Sequence, residues 1–340
     1  MLTAIWAILI FCALIFIHEF GHFITAKLSK MTVHEFAIGM GPKIFSFGKN
    51  RTQYSVRLFP MGGFVRLEGE DGDSQDPGAF CNKSALNRFV VLFAGAFMNI
   101  LLGFLIFVLV FSTTGEFASN QIASVIEGSA FEKAGIVDGD KIVKMEGEKF
   151  STGVHFYQDI NLFIALNGND SANITFERNG ERFSKEIAPA YIESEQRKLF
   201  GFSPKAINPS FFETLSLAFW ECIYVIKSVF LSLWWLIAGI VPASEMSGPV
   251  GIVKEIGVAA KIGWRSVLNF AGFISVNLGV MNLLPIPALD GGRILFLIIE
   301  KIRGKKMDPE KEGTINFIFF AILILFMIFV TFSDVKKIFG

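Results

Sequence analysis

Residues 2–26 read LTAIWAILIFCALIFIHEFGHFITA, an apolar run long enough to cross a bilayer that carries His18, Glu19 and His22 near its C-terminal end. At i and i+4 of a helix the two imidazoles share one face and can grip one divalent ion, with Glu19 beside a water on that ion. Ionisable side chains at membrane depth cost roughly 2.5–3.5 kcal/mol each on insertion scales, so clustering them in neighbouring turns needs a compensating interaction such as a metal. The plainer alternative is a helix end whose polar residues sit among headgroups, with Lys27 marking the interface.

Composition agrees with a membrane protein. The 340 residues are 52% hydrophobic with 39 Phe, and mean hydropathy is +0.52. The 31 basic and 31 acidic residues cancel, which excludes a global field that would draw in nucleic acid or acidic substrates. Cys12, Cys81 and Cys222 are far apart and form no CxxC, so neither a disulfide framework nor a thiolate metal site is expected. The N-terminus lacks a basic region and a small-residue cleavage pattern, so its apolar stretch reads as a retained span.

Further spans are expected over Phe89–Phe111 and Thr314–Phe332, and a less uniform one over Val267–Leu289. The last carries Asn269, Asn277 and Asn282, then Pro285 and Pro287, so its second half is expected to be irregular, a state tolerated at membrane depth only beside protein or a wet cavity. Residues 211–241 are apolar but contain Glu213, Glu221 and Lys227, which favours an interfacial helix. An odd number of spans would also put the two halves of the proposed site on opposite faces. The chain is thus expected to be an α-helical polytopic membrane protein with about four transmembrane helices, a membrane-associated β-hairpin or sheet, and one inserted β-rich domain. The expected segments are 1–112 (two spans and a glycine-rich loop), 113–209 (soluble domain), 210–265 (interfacial linker) and 266–340 (two spans).

Lys27, Lys30, Lys43, Lys49, Arg51, Arg57, Arg66, Lys83 and Arg88 follow the first span, and Lys301, Arg303, Lys305, Lys306 and Lys311 precede the last. Both loops are therefore expected on the cytoplasmic side, with the soluble domain and both termini outside, the periplasm in a bacterium with an inner membrane. The loop from Phe36 to Asp71 has Gly39, Gly41, Gly48 and Met61-Gly62-Gly63 between short alternating runs, which predicts a small antiparallel sheet partly immersed beside the first span. A strand edge there, at Gly62, Gly63 and Phe64, would hold an extended substrate by β-augmentation.

A hydrolytic zinc site usually has three protein ligands and an open position. Candidates for the third are Asp290, after Pro285-Ile286-Pro287-Ala288-Leu289, Glu300 beside Lys301 and Arg303, and His34 and Glu35 in the loop. Glu300 reads as a solvated interfacial carboxylate, and His34 and Glu35 read as surface residues.

HEFGH in the first span together with Asn282-Leu283-Leu284-Pro285-Ile286-Pro287-Ala288-Leu289-Asp290-Gly291-Gly292 resembles the paired HExxH and NxxPxPxLDG signatures of the site-2 proteases. Met61-Gly62-Gly63-Phe64-Val65 and Ser247-Gly248-Pro249-Val250-Gly251-Ile252 are similar to segments of the bacterial branch that includes the regulator of sigma-E protease. The resemblance implies Zn²⁺ held by His18, His22 and Asp290, Glu19 as general base, and Asn282 orienting substrate or stabilising the oxyanion. Asn277 is a weaker substrate candidate, since an asparagine in a span can simply bond a neighbouring helix. It also implies membrane-spanning substrates such as anti-sigma factors and remnant signal peptides, cut after a prior external cleavage.

The run Gly128-Ser129-Ala130-Phe131-Glu132-Lys133-Ala134-Gly135-Ile136, followed by Gly139-Asp140-Lys141-Ile142-Val143, resembles a bacterial PDZ domain, one copy where some relatives carry two. Such a domain would either filter substrates by size or bind a peptide or C-terminus in its groove. Two other readings are a zinc transporter or sensor using the same ligands, and a scaffold with a structural metal. Transport needs no base one residue after a ligand, and a structural site usually has four protein ligands.

Overall fold

The computed structural model describes residues 2–48, 52–70, 72–192, 197–305 and 307–339. Lys49, Arg51, Asp71 and Lys306, used in the reading of loops and charge, lie outside the described residues. The chain forms two compact units, residues 1–107 with 225–340, and residues 108–224.

Helix α1 (Leu2–Leu28) opens the first unit, followed by strands β1 (Val33–Phe47) and β2 (Gln53–Leu67) and helix α2 (Ala85–Thr113). α1 ends where Lys30 turns to a φ of 53° and the Met31 N–H donates to Ala26 O at 2.9 Å. α2 starts at Ser84, whose Oγ accepts from Asn87 N at 3.3 Å, a side-chain cap on an otherwise orphaned donor. α1 and α2 approach closely because Gly21 has no β-carbon; one there would lie 2.5 Å from Ala94 O.

β1 and β2 pair antiparallel, with register shifts near Gly39 and Gly41, whose φ values of 85° and 84° suit glycine. Phe36 is opposite Val65 on one side and Tyr54 on the other, so the inner part of β1 has β2 along both edges. This sheet buries Glu35 (1% exposed), which accepts from Ser55 Oγ at 2.7 Å and Arg57 Nη2 at 2.9 Å, with Lys43 Nζ at 3.3 Å. The surface role expected of Glu35 is therefore corrected: it is the buried hub of the hairpin. Burial alone would raise its carboxyl pKa, but these hydrogen bonds and the Arg57 charge prevail and hold it at about 2. Met40, Leu58 and Phe59 at the far end, and Ile44, Phe45 and Phe47 along the outer part of the sheet, are exposed.

The second unit contains β3 (Phe117–Val125), α3 (Ala130–Lys133), β4 (Lys141–Gly147), β5 (Ser151–Gly153), α4 (Tyr157–Asn167), β6 (Ala172–Arg178), β7 (Glu181–Ile187), β8 (Ala190–Ile192), β9 (Arg197–Leu199) and β10 (Phe202–Ile207). Its main sheet has the order β10-β3-β4-β6-β7 with β5 beside β4, and β8 pairs with β9. Ile174 and Phe176 alternate along β6, and a register shift between Ile142 and Lys144 turns both Ile142 and Met145 of β4 to the same core, closed by Phe131, Ile160 and Phe163 from the helices. Ser129 and Glu132 form a reciprocal cap at α3: Glu132 N donates to Ser129 Oγ at 3.3 Å and Gly128 N to Glu132 Oε2 at 2.6 Å. The chain leaves through α5 (Phe211–Ile237), whose residues from 225 onward belong to the first unit.

The first unit resumes with α6 (Pro249–Ile262), α7 (Trp264–Leu283), α8 (Asp290–Arg303) and α9 (Pro309–Phe339). α6 packs Ile256 and Ala259 on Ala7, Ile10 and Leu14 of α1. α7 runs along α2: Gly279 meets Ala96, Ser275 Oγ donates to Asn99 O at 2.6 Å, and Gly272 meets Phe107. Rising numbers on α7 match falling numbers on α2, and His18 and His22 match α2 in the same sense through Asn99 and Val91. α7 is thus parallel to α1 and brings its C-terminus to the end that holds the histidines.

The irregular stretch is shorter than expected. α7 stays helical past Asn277 and Asn282 and breaks at Leu284 (ψ 141°), where Pro285 disfavours the helical conformation of its predecessor. Among the described residues, five helices are long and apolar enough to cross a membrane: the four expected, in α1, α2, α7 and α9, and also Phe211–Ile237, which was expected at the interface.

Candidate metal centre

His18 Nε2 and His22 Nε2 lie 3.2 Å apart, and Asp290 Oδ2 is 3.2 Å from the first and 3.4 Å from the second. Among the described residues this is the one group of three such side chains close enough to share an ion. Four ligands about 2.0–2.1 Å from a tetrahedral zinc stand about 3.3 Å from one another, so the triangle has the edge length zinc requires. Asp290 Oδ2 is also buried without a hydrogen-bond partner, a costly state that a cation would relieve. The donor set therefore fits zinc, with one position left for water or substrate.

Local sequence accounts for each placement. The four-residue spacing puts His18 and His22 on the face of α1 toward α2, where His22 Nδ1 is 2.8 Å from Val91 O. Asp290 is the first residue of α8, aimed by the preceding turn. Gly291 and Gly292 are needed there because β-carbons would collide with Leu284 O and Ile286 O. Ala288 takes a φ of 76° in that turn, and its N–H is held by Asn316 Oδ1 of α9 at 3.0 Å.

The triangle opens into a cavity of about 440 Å³ lined also by Glu19, Gly63, Phe64, Ala288, Glu70 and Arg293. Gly63 presses against the base candidate: a β-carbon there would lie 2.9 Å from Glu19 Cγ and 2.9 Å from Ala37 O. β2 over Gly63–Leu67 pairs with β1 on one side, and among the described residues no strand pairs with the other. Gly62 adjoins this edge with a φ of 87° and is not part of the lining. Asn282 Nδ2 lies 3.5 Å from His18 Nδ1, behind the ligand ring and outside the cavity lining. Asn277, half-buried, faces another side of α7 and makes no hydrogen bond to these groups.

The rejected ligand candidates have other partners. Glu300 is not solvated as expected: Arg88 grips both its oxygens, at 2.9 and 2.7 Å. His34 Nε2 pairs with Glu68 Oε2 at 2.6 Å. Four neighbours were not foreseen. Glu70 and Arg293 form an ion pair at the cavity wall, Gly95 leaves room for His22, and Asn99 reaches His18 Nδ1 at 3.3 Å. The Gly95-x-x-x-Asn99 spacing inside a span was the signal available for the last two.

Comparison with known proteins agrees with this geometry. The model of peptidase family M50 matches residues 6–326. A putative zinc metalloprotease of Clostridium acetobutylicum is 42% identical, over 97% of this chain and 96% of its own. The zinc metalloprotease RasP of Shouchella clausii is 32% identical over 99% and 100%. The regulator of sigma-W protease RasP of Bacillus subtilis is 30% identical over 99% of each chain. A match across most of the chain, with relatives of nearly full coverage, means that the chain belongs to peptidase family M50, as a zinc metalloprotease of the intramembrane, site-2 type.

Proposed function

We propose that His18, His22 and Asp290 hold the zinc and that Glu19 is the general base of peptide-bond hydrolysis inside the membrane. The observation that carries this reading is the 3.2–3.4 Å triangle opening onto a cavity that Glu19 shares. Zinc supplies a water acidified toward a pKa of about 7 and polarisation of the scissile carbonyl. Glu19 takes the proton from the attacking water and delivers it to the leaving amine. The free edge of Gly63–Leu67 holds the substrate extended by main-chain pairing, with Gly62, Gly63 and Phe64 at its start, which favours segments that unwind readily. Asn282 orients the substrate when the bound peptide draws its amide toward the cavity, and Asn277 lies on another side of α7, outside the cavity lining.

Four crossings fit this site better than five. α7 must start on the face where α1 starts if Asp290 is to meet His18, so the chain returns to that face after α2. A crossing by α5 would break this, and α6, at 14 residues, is too short to restore it. Lys27, Lys30 and Arg88 where α1 connects to α2, and Lys301, Arg303 and Lys305 where α8 leads to α9, support a cytoplasmic active-site end, with both termini and residues 113–209 outside, in a bacterial inner membrane. The exposed Met40 and Phe59 at the tip, with Phe45 and Phe47 on the outer part of the sheet, support its partial immersion.

The second unit is PDZ-like, supported by its small sheet, its two helices and the capped Ser129 turn, and it acts as a size filter. The sigma-W name of the Bacillus relative supports substrates that are membrane-spanning regulators such as anti-sigma factors, with remnant signal peptides as a second group. The test is cleavage of a model transmembrane substrate by purified protein and by Glu19→Gln, with zinc measured in both. The variant is expected to keep zinc and lose activity by about 10²–10⁴-fold or more. Near-normal cleavage would refute the base.

A further inference from the structure

Val91, Gly95 and Asn99 recur every four residues, so they form one stripe along α2, and this stripe faces both histidines. Val91 O lies 2.8 Å from His22 Nδ1, and Gly95 abuts the Nε2 edge of that ring. Asn99 is fully buried, with Nδ2 3.3 Å from His18 Nδ1 and Oδ1 without a hydrogen-bond partner. Asn282 Nδ2 approaches the same ring nitrogen at 3.5 Å.

Two amide donors cannot both serve that nitrogen once the ring binds a metal. An imidazole coordinating through Nε2 carries its proton on Nδ1, which must then donate. His22 has an acceptor for that proton in Val91 O. Among the described residues, His18 Nδ1 has only the two amides within hydrogen-bond reach, so one of them must present its oxygen. A half-turn of a side-chain amide exchanges oxygen and nitrogen without moving other atoms. Asn99 is the closer of the two and the more deeply buried, its oxygen is unsatisfied, and its backbone is pinned by Ser275 Oγ at 2.6 Å.

We propose that Asn99 is a positioning residue of the metal centre: its Oδ1 accepts the Nδ1 proton of His18 and fixes the tautomer that turns the Nε2 lone pair to zinc. α2 then supplies an acceptor for each histidine, a backbone carbonyl for His22 and a side-chain carbonyl for His18, with a glycine between them where the rings need space. The proposal rests on the zinc-site reading above. Outer partners of this kind typically contribute 10- to 100-fold in metal affinity.

The experiment uses full-length protein in detergent. Zinc affinity is measured by chelator competition, and the visible absorption of the cobalt-substituted protein reports ligand geometry. Asn99→Leu, similar in volume but without an acceptor, is expected to weaken zinc about 10- to 100-fold and to shift the cobalt bands. Asn282→Leu is expected to change neither. Asn99→Asp keeps an acceptor, so its zinc affinity is expected to stay within a few-fold of wild type while its bands move, because a carboxylate bonds the ring more strongly. Asn99→Asp decides the matter by itself if Asn99→Leu does not fold: unmoved bands overturn the proposal. Wild-type affinity in Asn99→Leu, or the loss appearing in Asn282→Leu instead, also overturns it. Zinc retained by His18→Ala would refute the underlying site, so the two failures read differently.

Discussion

Gly95 on α2 faces His22 on α1 so closely that a β-carbon on it would overlap Nε2, the atom proposed as ligand, and would lie 2.9 Å from His18 Cε1. Alanine in place of a helical glycine normally favours the helix by about 1 kcal/mol. Here the methyl group would occupy the edge of the site. Gly95→Ala is expected to lose zinc and cleavage while the metal-free protein unfolds no more easily than wild type. Gly115→Ala, which meets no atom within 4 Å, serves as the neutral control. Zinc content per protein in the two variants checks this, and full occupancy in Gly95→Ala would refute it.

Asp290 and Glu300 lie on the same helix and are expected to fail in opposite ways. Asp290→Ala removes the group whose buried oxygen completes the triangle, so zinc content should fall while the fold survives. Glu300→Ala strands Arg88, whose side chain is 12% exposed, and should cost about 1–3 kcal/mol of stability while zinc is retained. Metal analysis and thermal unfolding of both variants separate the roles. Equal zinc in Asp290→Ala and wild type would move the ligand elsewhere.

Glu35 makes the hairpin sensitive to acid. Its carboxyl is held at about 2 against an ordinary value of 4.5, so the unfolded state takes up its proton at a higher pH than the folded state. The stabilisation is therefore fully present above about pH 4.5 and fades as pH falls toward 2, on the order of a few kcal/mol in all. Amide exchange of β1 and β2 should accelerate through that window. In Glu35→Gln exchange should already be fast at pH 7 and change little on acidification. Wild-type protection at pH 7 in the variant would show that the hairpin does not depend on the charge.

The legible parts of the molecule were those whose chemistry is written in one short stretch. His18, Glu19 and His22 share one helix face because three residues at fixed spacing suffice, and Asp290 stood out by its place after Pro285 and Pro287 and by the family motif; the structure brings its Oδ2 within 3.4 Å of both imidazoles. Glu35 was misread because its ligands, Lys43, Ser55 and Arg57, reach it only when β2 folds over β1. Glu300 was misread because Arg88 comes from a different helix. Asn99 looked like any polar residue in a span, since its meaning depends on the ring nitrogen of His18 across a helix pair. Asn277 and Asn282 suggested more irregular backbone than forms, because a helix tolerates asparagines that face protein.

Removal of the β-rich unit tests the filter, and the fold sets where to cut. β3 begins at Phe117 and pairs with β10, which ends at Ile207, while the core includes Phe200. A deletion of Gln121 to Ala188 alone would cut β3 within its length and leave β8 and β10 without the core they pack on. Excising 117–207 and joining the ends with a flexible Gly/Ser linker removes the sheet whole and spares His18, Glu19, His22 and Asp290. Zinc content should be unchanged. If the unit excludes by size, substrates with short external segments should be cut at nearly the wild-type rate, and substrates with large folded external domains, normally refused, should now be cut. If it instead recruits new C-termini by strand addition, the same deletion should raise KM for short substrates and give large ones no advantage. Comparing both substrate classes on the deletion variant distinguishes these, and a selective loss on the short class would overturn the filter.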